Sequence, residues 1–195
     1  MRTAYIFDIG NVLAEFDGKK LIHTWIRDEE QAKALFGFLF KERWNRYDQG
    51  LISTEEIAEQ AATAFPSIAE AIQKMMKEWP DHLTINTKNL EEIRGRNLNA
   101  YILSNLPECT ETSLRKRGMF DGFAGGVFSW REKRCKPDPI LYQILLDRYN
   151  LKAEDCVFID DREENVQAAK ELGMQAYRLE QIDLLSDLLD ALDRS

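Results

Sequence analysis

The sequence predicts an α/β protein: a core built on a parallel sheet, interrupted after its first strand by an all-helical insert. Three observations predict it. The chain begins with an apolar run from Tyr5 to Leu13 that is broken by Asp8 and then by Gly10-Asn11. From about Glu15 to Pro80 the apolar residues fall at helical spacing, with no β-rich run between them. From Thr87 onward, short apolar strands alternate with helical stretches, the pattern of right-handed βαβ units on one sheet.

Taken in order, Tyr5-Ile6-Phe7 is apolar on both faces, as a parallel strand covered on both sides must be. Asp8 follows at its carboxyl end, where open α/β sheets place their ligands. By itself Asp8 is equally compatible with a turn cap and with chemistry.

The insert starts near Glu15-Phe16-Asp17-Gly18. Leu21, Ile22, Trp25 and Ile26 share one helical face, and Leu35, Leu39, Phe40, Trp44 and Tyr47 repeat the pattern until Gly50. Ser53 with Glu56 and Ser67 with Glu70 have capping-box spacing and announce two further helices. The many aromatic rings of the insert are expected to form its own core, since amphipathic helices must bury their apolar stripes. Arg43-Trp44-Asn45-Arg46-Tyr47-Asp48 is the stretch expected to face a substrate or, equally, to be a solvated helix end. Hinges are expected near Asp17-Gly18 and near Trp79-Pro80-Asp81.

Beyond the insert, 89–96 reads as a helix, Ala100 to Leu103 as a strand ending in Ser104-Asn105, and 108–117 as a helix stopped by Gly118. Gly126 to Ser129 is a short strand. In Lys136-Pro137-Asp138-Pro139, Asp138 suits an N-cap and Pro139 the first helical position. Cys156 to Ile159 is a buried strand ending in Asp160-Asp161, followed by a helix up to Gly173, a short strand over 176–178, and an amphipathic helix from Leu184 to Leu192.

Composition excludes several functions. The chain has 195 residues, 44% hydrophobic and 31% charged, enough for one main core and a smaller accessory domain. A net charge of -8 argues against a nucleic-acid partner, whose phosphates need clustered Lys and Arg. A small phosphorylated metabolite remains compatible, because a bound cation and local dipoles outweigh a diffuse field at one site. Met1-Arg2-Thr3 leads into the first strand without a secretory leader, and no apolar run approaches the ~20 residues of a membrane span. The expectation is a cytoplasmic protein with no membrane partner. Cys109, Cys135 and Cys156, with only His23 and His82 beside them, form neither a disulfide framework nor a zinc spacing.

Four polar elements occupy comparable places: Asp8, Ser104-Asn105, Lys136 and Asp160-Asp161. Each alone has a structural explanation, but at strand ends sharing one sheet edge they make a site for phosphate and metal. With these motifs the chain resembles the haloacid dehalogenase-like hydrolase superfamily. The resemblance implies a Rossmann-like core over 1–15 and 82–195, with a small helical cap over 16–81. It implies a phosphatase, in which Asp8 of Phe7-Asp8-Ile9-Gly10-Asn11-Val12 is the nucleophile that carries a phosphoryl group. Ser104 and Asn105 would hold the phosphoryl oxygens, and Lys136 would neutralise charge, serving both catalysis and substrate binding. Magnesium would be held by Asp8, the Gly10 carbonyl and Asp161, with Asp160 behind them or as an alternative ligand, and Asn165 would orient Asp161.

The chain departs from the common pattern at Gly10, where the family places an acid that serves as general acid and base. Such a group is worth ~10² to 10⁴ in rate. Either the leaving group is unusually acidic, or Glu15 or Asp17 swings in, or the chain binds without turnover. The Asp-Ile-Gly-Asn-Val pattern resembles a branch that includes a bacterial α-D-glucose-1-phosphate phosphatase, which favours a sugar phosphate as substrate. The alternatives are a non-catalytic module that binds a phosphorylated ligand or a protein, and, third, a dehalogenase.

Overall fold

A computed structural model describes residues 3–194, apart from the Glu42 side chain. Met1, Arg2 and Ser195, at the outer ends of the expected core, lie outside the described residues. The first strand, β1 (Ala4–Phe7), leads through a tight loop into β2 (Ala14–Glu15). Asn11 takes a positive φ of 53° in that loop, a conformation Asn tolerates better than most side chains.

The helical insert then follows as α1 (Gly18–Trp25), α2 (Glu29–Phe38), a π-type turn over Leu39–Arg43, α3 (Trp44–Asp48), α4 (Thr54–Ala64) and α5 (Ala69–Glu78). Asp17 caps α1 and Asp28 caps α2. At α4 the expected capping box is formed: Ser53 Oγ accepts from the Glu56 amide at 3.1 Å, and the Ser53 amide donates to Glu56 Oε2 at 2.7 Å. The second expected box is not. Pro66 starts a 3₁₀ turn over Pro66–Ile68, which places Ser67 inside that turn and leaves Ile68 at the head of α5.

After a 3₁₀ turn over Trp79–His82 comes β3 (Thr84–Ile85), which pairs antiparallel with β2. This small ribbon joins the two chain crossings between insert and core. It flanks the helical stretch expected from about Glu15 to Pro80, and its strands of two residues are too short to show a period in the sequence.

The remainder alternates as expected except at α8, a short helix that begins at Ser129, where the strand is expected to end: α6 (Thr87–Gly95), β4 (Asn99–Ser104), α7 (Glu108–Lys116), β5 (Gly125–Phe128), α8 (Ser129–Glu132), α9 (Pro139–Tyr149), β6 (Cys156–Asp160), α10 (Glu163–Glu171), β7 (Gln175–Arg178) and α11 (Leu185–Leu192). Asp138 caps α9 with Pro139 in its first turn, and Asn150 ends it in the left-handed conformation.

The main sheet is five-stranded and parallel, in the order β5-β4-β1-β6-β7. Successive residues of its strands alternate between two cores. Ile6, Leu103 and Phe158 face one side, packed with Leu141, Tyr142 and Leu145 of α9; Phe7, Ile102 and Ile159 face the other. Helices on both faces explain why the central strands are apolar throughout. A third apolar cluster, including Ile22, Leu35, Ile57, Ile72 and Met75, belongs to the insert, and each such side chain contributes roughly 1.5–3 kcal/mol by burial. Because the chain runs from β1 to one side of the sheet and later returns to its other side, the carboxyl end of β1 is a topological switch point, where such sheets open a crevice. Among the described residues no helix is long and apolar enough to cross a membrane.

Candidate active site

Sheet register decides which side chains meet in this crevice. Phe7 is level with Ile102 of β4 and Ile159 of β6, so Asp8 and Asp160, one residue on, and Ser104, two residues on, emerge together at the sheet edge. The ladder continues into the site, with the Asp8 amide donating to the Ile159 carbonyl at 3.0 Å.

Lys136 is the hub, buried to 3% exposure. Its Nζ donates to the Leu103 carbonyl at 2.8 Å and lies 2.6 Å from Asp160 Oδ2 and 2.9 Å from Asp8 Oδ1. An ammonium has three donors, and all three are used. Burial works against its charge, but the Asp160 and Asp8 carboxylates prevail and hold the lysine above its ordinary range.

Asp8 is treated unequally at its two oxygens. Oδ1 accepts from Ser104 Oγ at 2.6 Å and faces Lys136, whereas Oδ2 accepts from no group among the described residues. Burial pushes the Asp8 carboxyl up to about 6, aided by the nearby Asp160 charge and opposed by Lys136 and Ser104.

Asp160 and Asp161, adjacent in sequence, are placed differently. Asp160 is fully buried and its oxygens are taken up by Lys136, by the Arg162 amide at 2.9 Å, and by Asn165 Nδ2 at 2.9 and 3.1 Å. Asp161 stands at the cavity, held through Oδ2 by Asn11 Nδ2 at 3.0 Å, and burial raises its pKa. Asn165 therefore orients Asp160, not Asp161 as expected. A helical residue five positions on reaches back under the strand end, while Asp161 has already turned away; the residue that positions Asp161 is Asn11. The Gly10-Asn11 pair just after Asp8, residues suited to a tight turn, is the signal the sequence offers for it.

Asn105 spends its amide on the lysine's main chain: Oδ1 accepts from the Lys136 amide at 2.8 Å and Nδ2 donates to the Lys136 carbonyl at 3.0 Å. The geometry makes it a brace for Lys136. Behind it, Ser129 Oγ accepts from the Leu106 amide at 2.9 Å and donates to the Asp48 carbonyl, tying the loop after β4 to the end of α3. Glu111 of α7 anchors the same corner, accepting from Trp130 Nε1 at 2.7 Å and from Arg131 at 3.0 Å. These supports leave no pattern in the sequence that would single them out.

Carboxylate oxygens of Asp8, Asp160 and Asp161 lie within 4.8 Å of one another. Above them opens a cavity of about 740 Å³, walled on the sheet side by these groups and on the helical side by Phe16, Phe40, Trp44 and Trp79. The rings pack on one another, with centroids 4.2 Å apart for Phe40 and Trp44 and 5.2 Å for Trp44 and Trp79. The expected substrate-facing stretch is split. Trp44, Asn45 and Asp48 line the cavity, while Tyr47 is buried with its hydroxyl on Thr54 and Cys109, and Arg43 lies over the Phe38 ring. Glu15 and Asp17 do not line it: Glu15 pairs with Lys20, and Asp17 caps α1.

A parallel sheet whose edge carries a buried lysine among three aspartates, beneath a helical roof, defines the class: an α/β protein with a charged site at its topological switch point. Comparison with known proteins then gives the particular family. Residues 3–173 match the model of the haloacid dehalogenase-like hydrolases, and the chain belongs to that family. It is 27% identical over 180 residues to a sesquiterpene phosphatase of Aspergillus oryzae, across 90% of this chain and 89% of that one. It is 26% identical over 193 residues to a phosphatase of Mycobacterium tuberculosis, across 90% and 86%. Among solved structures, a haloacid dehalogenase family enzyme of Bacteroides thetaiotaomicron, in complex with magnesium and inorganic phosphate, has the same fold. Its TM-score is 0.76 at 21% identity, over 96% of this chain and 99% of that one.

Proposed function

We propose that this hydrolase is a magnesium-dependent phosphatase of small phosphorylated metabolites, in which Asp8 accepts the phosphoryl group. The observation that carries this reading is the asymmetry of Asp8. One oxygen is clamped by Ser104 and Lys136, the other accepts from no group among the described residues, and Asp8 lines the cavity. A clamped carboxylate with one free oxygen is prepared to attack in line rather than to sit in a structural ion pair. The phosphatase names of the two relatives agree with it.

The donor set fits magnesium. It consists of hard oxygens, and one buried acceptor beside it, Asn165 Oδ1, has no donor among the described residues. Asp8, Asp161 and the Gly10 carbonyl would hold the ion, and Asp160, whose oxygens are already bonded, would stand behind them. When bound, the ion would supply positive charge for the phosphoryl oxygens. Lys136 would keep Asp8 ionised and offset the repulsion between carboxylate and phosphate, and Ser104 would fix the direction of attack. Asn105, with its amide on Lys136, would hold that lysine in place and border the phosphoryl site.

For the leaving group, the sequence pattern favours a sugar phosphate, and Asn45, Asp48 and Gln49 offer polar partners for hydroxyls. The aromatic wall favours a second reading, a phosphate ester whose leaving group is apolar or flat. The test is release of inorganic phosphate from sugar phosphates, a prenyl phosphate and an activated aryl phosphate, with magnesium and with chelator. Magnesium-dependent release is expected, and the preferred ester decides between the two leaving groups. Phosphate esters that bind but are never hydrolysed would sink the reading in favour of a binding module, and halide release without magnesium would favour a dehalogenase.

A further inference from the structure

We infer that Asp48, on the helical roof, is the proton donor to the leaving group, in the role left vacant by Gly10. This rests on the phosphatase reading. Gly10 contributes no side chain, and a Cβ built there meets no atom within 4 Å, so the cavity beside Asp8 is open at that position. Of the acids that line the cavity, Asp8 and Asp161 belong to the nucleophile and ion cluster, and Asp138 is committed to capping α9 and to Arg134. Asp48 is the remaining one among the described residues, and its carboxyl makes no hydrogen bond to any of them.

Its position is fixed from behind. The Asp48 carbonyl accepts from Ser129 Oγ, the Gly50 carbonyl accepts from Lys133 Nζ at 2.8 Å, and Cys135 Sγ donates to the Asn45 carbonyl at 3.8 Å. The end of α3 is thus docked on the segment that leads to Lys136, and Asp48 lines the same cavity as Asp8 and Gly10. Burial, then the Asp8 charge, raise the Asp48 pKa well above the ordinary carboxyl range, against a weaker opposite pull from Arg162. Asp8, Arg162 and the neutral Cys135 thiol are the titratable groups around it. A carboxyl beside the open position at Gly10, with no hydrogen-bond partner among the described residues, is placed to pass a proton to a departing oxygen.

In the first step the Asp8 oxygen forms a bond to phosphorus as the ester P–O bond breaks, and the Asp48 proton passes to the departing oxygen, leaving an alcohol. In the second, the Asp48 carboxylate takes a proton from the water that attacks phosphorus, and Asp8 and inorganic phosphate are released. Atoms and charge balance over the two steps.

The experiment compares kcat/KM for an alkyl phosphate and for an activated aryl phosphate in the wild type, Asp48→Asn and Asp48→Ser. Because kcat/KM reports the chain of events up to departure of the leaving group, loss of a proton donor should cost ~10² to 10⁴ on the alkyl ester and less than about threefold on the aryl ester. Equal losses on both esters, or no loss on either, would overturn the assignment. A wild type inert toward both would instead refute the phosphatase reading. Asp48→Ser, smaller and unable to repel Asp8, must show the same split, which separates proton donation from a disturbance of folding.

Discussion

The floor of the cavity is made of charged and amide groups, each with a few specific partners: Lys136 with Asp8 and Asp160, Asp160 also with Asn165, and Asp161 with Asn11. Its roof is made of rings that pack many to many: Phe16, Phe40, Trp44 and Trp79 touch each other in five close pairs. The floor draws its energy from a few interactions in a water-poor site, each of which leaves a stranded charge when its partner is removed. The roof draws its energy from summed burial, in which one ring can be exchanged for another apolar group of similar size. Chemistry held by such a floor tolerates little change, whereas selectivity held by such a roof can be retuned cheaply.

Two substitutions sharpen that contrast. The larger effect is expected for Lys136→Met, which keeps the volume and removes the charge. Asp8 and Asp160 then face each other without a cation, so folding should weaken by about 3–5 kcal/mol, read from urea unfolding at neutral pH. Phosphate release should fall by ~10³ or more. If Lys136→Met unfolds at the wild-type urea concentration, the floor is not held by its ion pairs. The smaller effect is expected for Phe40→Leu, at a cost below ~1.5 kcal/mol. Loss of its stacking on Trp44 should raise KM about fivefold for an ester with a flat or apolar leaving group and leave kcat unchanged. A drop in kcat instead would mean that the roof takes part in the chemical step.

The same contrast explains how far the amino-acid sequence could be read. Asp8, Ser104 and Asp160 were visible because each ends a buried apolar strand, and parallel register brings strand ends to one edge. Lys136 was visible by its place ahead of the Asp138-Pro139 helix start. Asn165 is legible as a site residue, but sequence distance along a helix does not say which of two adjacent carboxylates it reaches. The roof was harder. Helical spacing showed which residues of 43–48 share a face, but not that Tyr47 points into the insert while Trp44 and Asp48 reach the cavity. The π-type turn over Leu39–Arg43 shifts that register by a residue, and nothing in Leu39-Phe40-Lys41-Glu42-Arg43 announces it. The expected hinge at Gly18 is also a packing position. A Cβ there comes within 2.5–3.0 Å of the Phe40 ring, so a change at Gly18 disturbs the roof as well as any hinge. Ser67 and Glu70 matched a capping box by spacing, but Pro66 fixed the backbone of that turn first.

The most direct measurement is the identity of the phosphorylated residue during turnover. Enzyme acid-quenched with magnesium and an activated aryl phosphate should carry one phosphoryl group on the peptide that contains Asp8, and Asp8→Asn should carry none and release no phosphate. A phosphoryl group found on another residue, or phosphate release that persists in Asp8→Asn, would contradict the account.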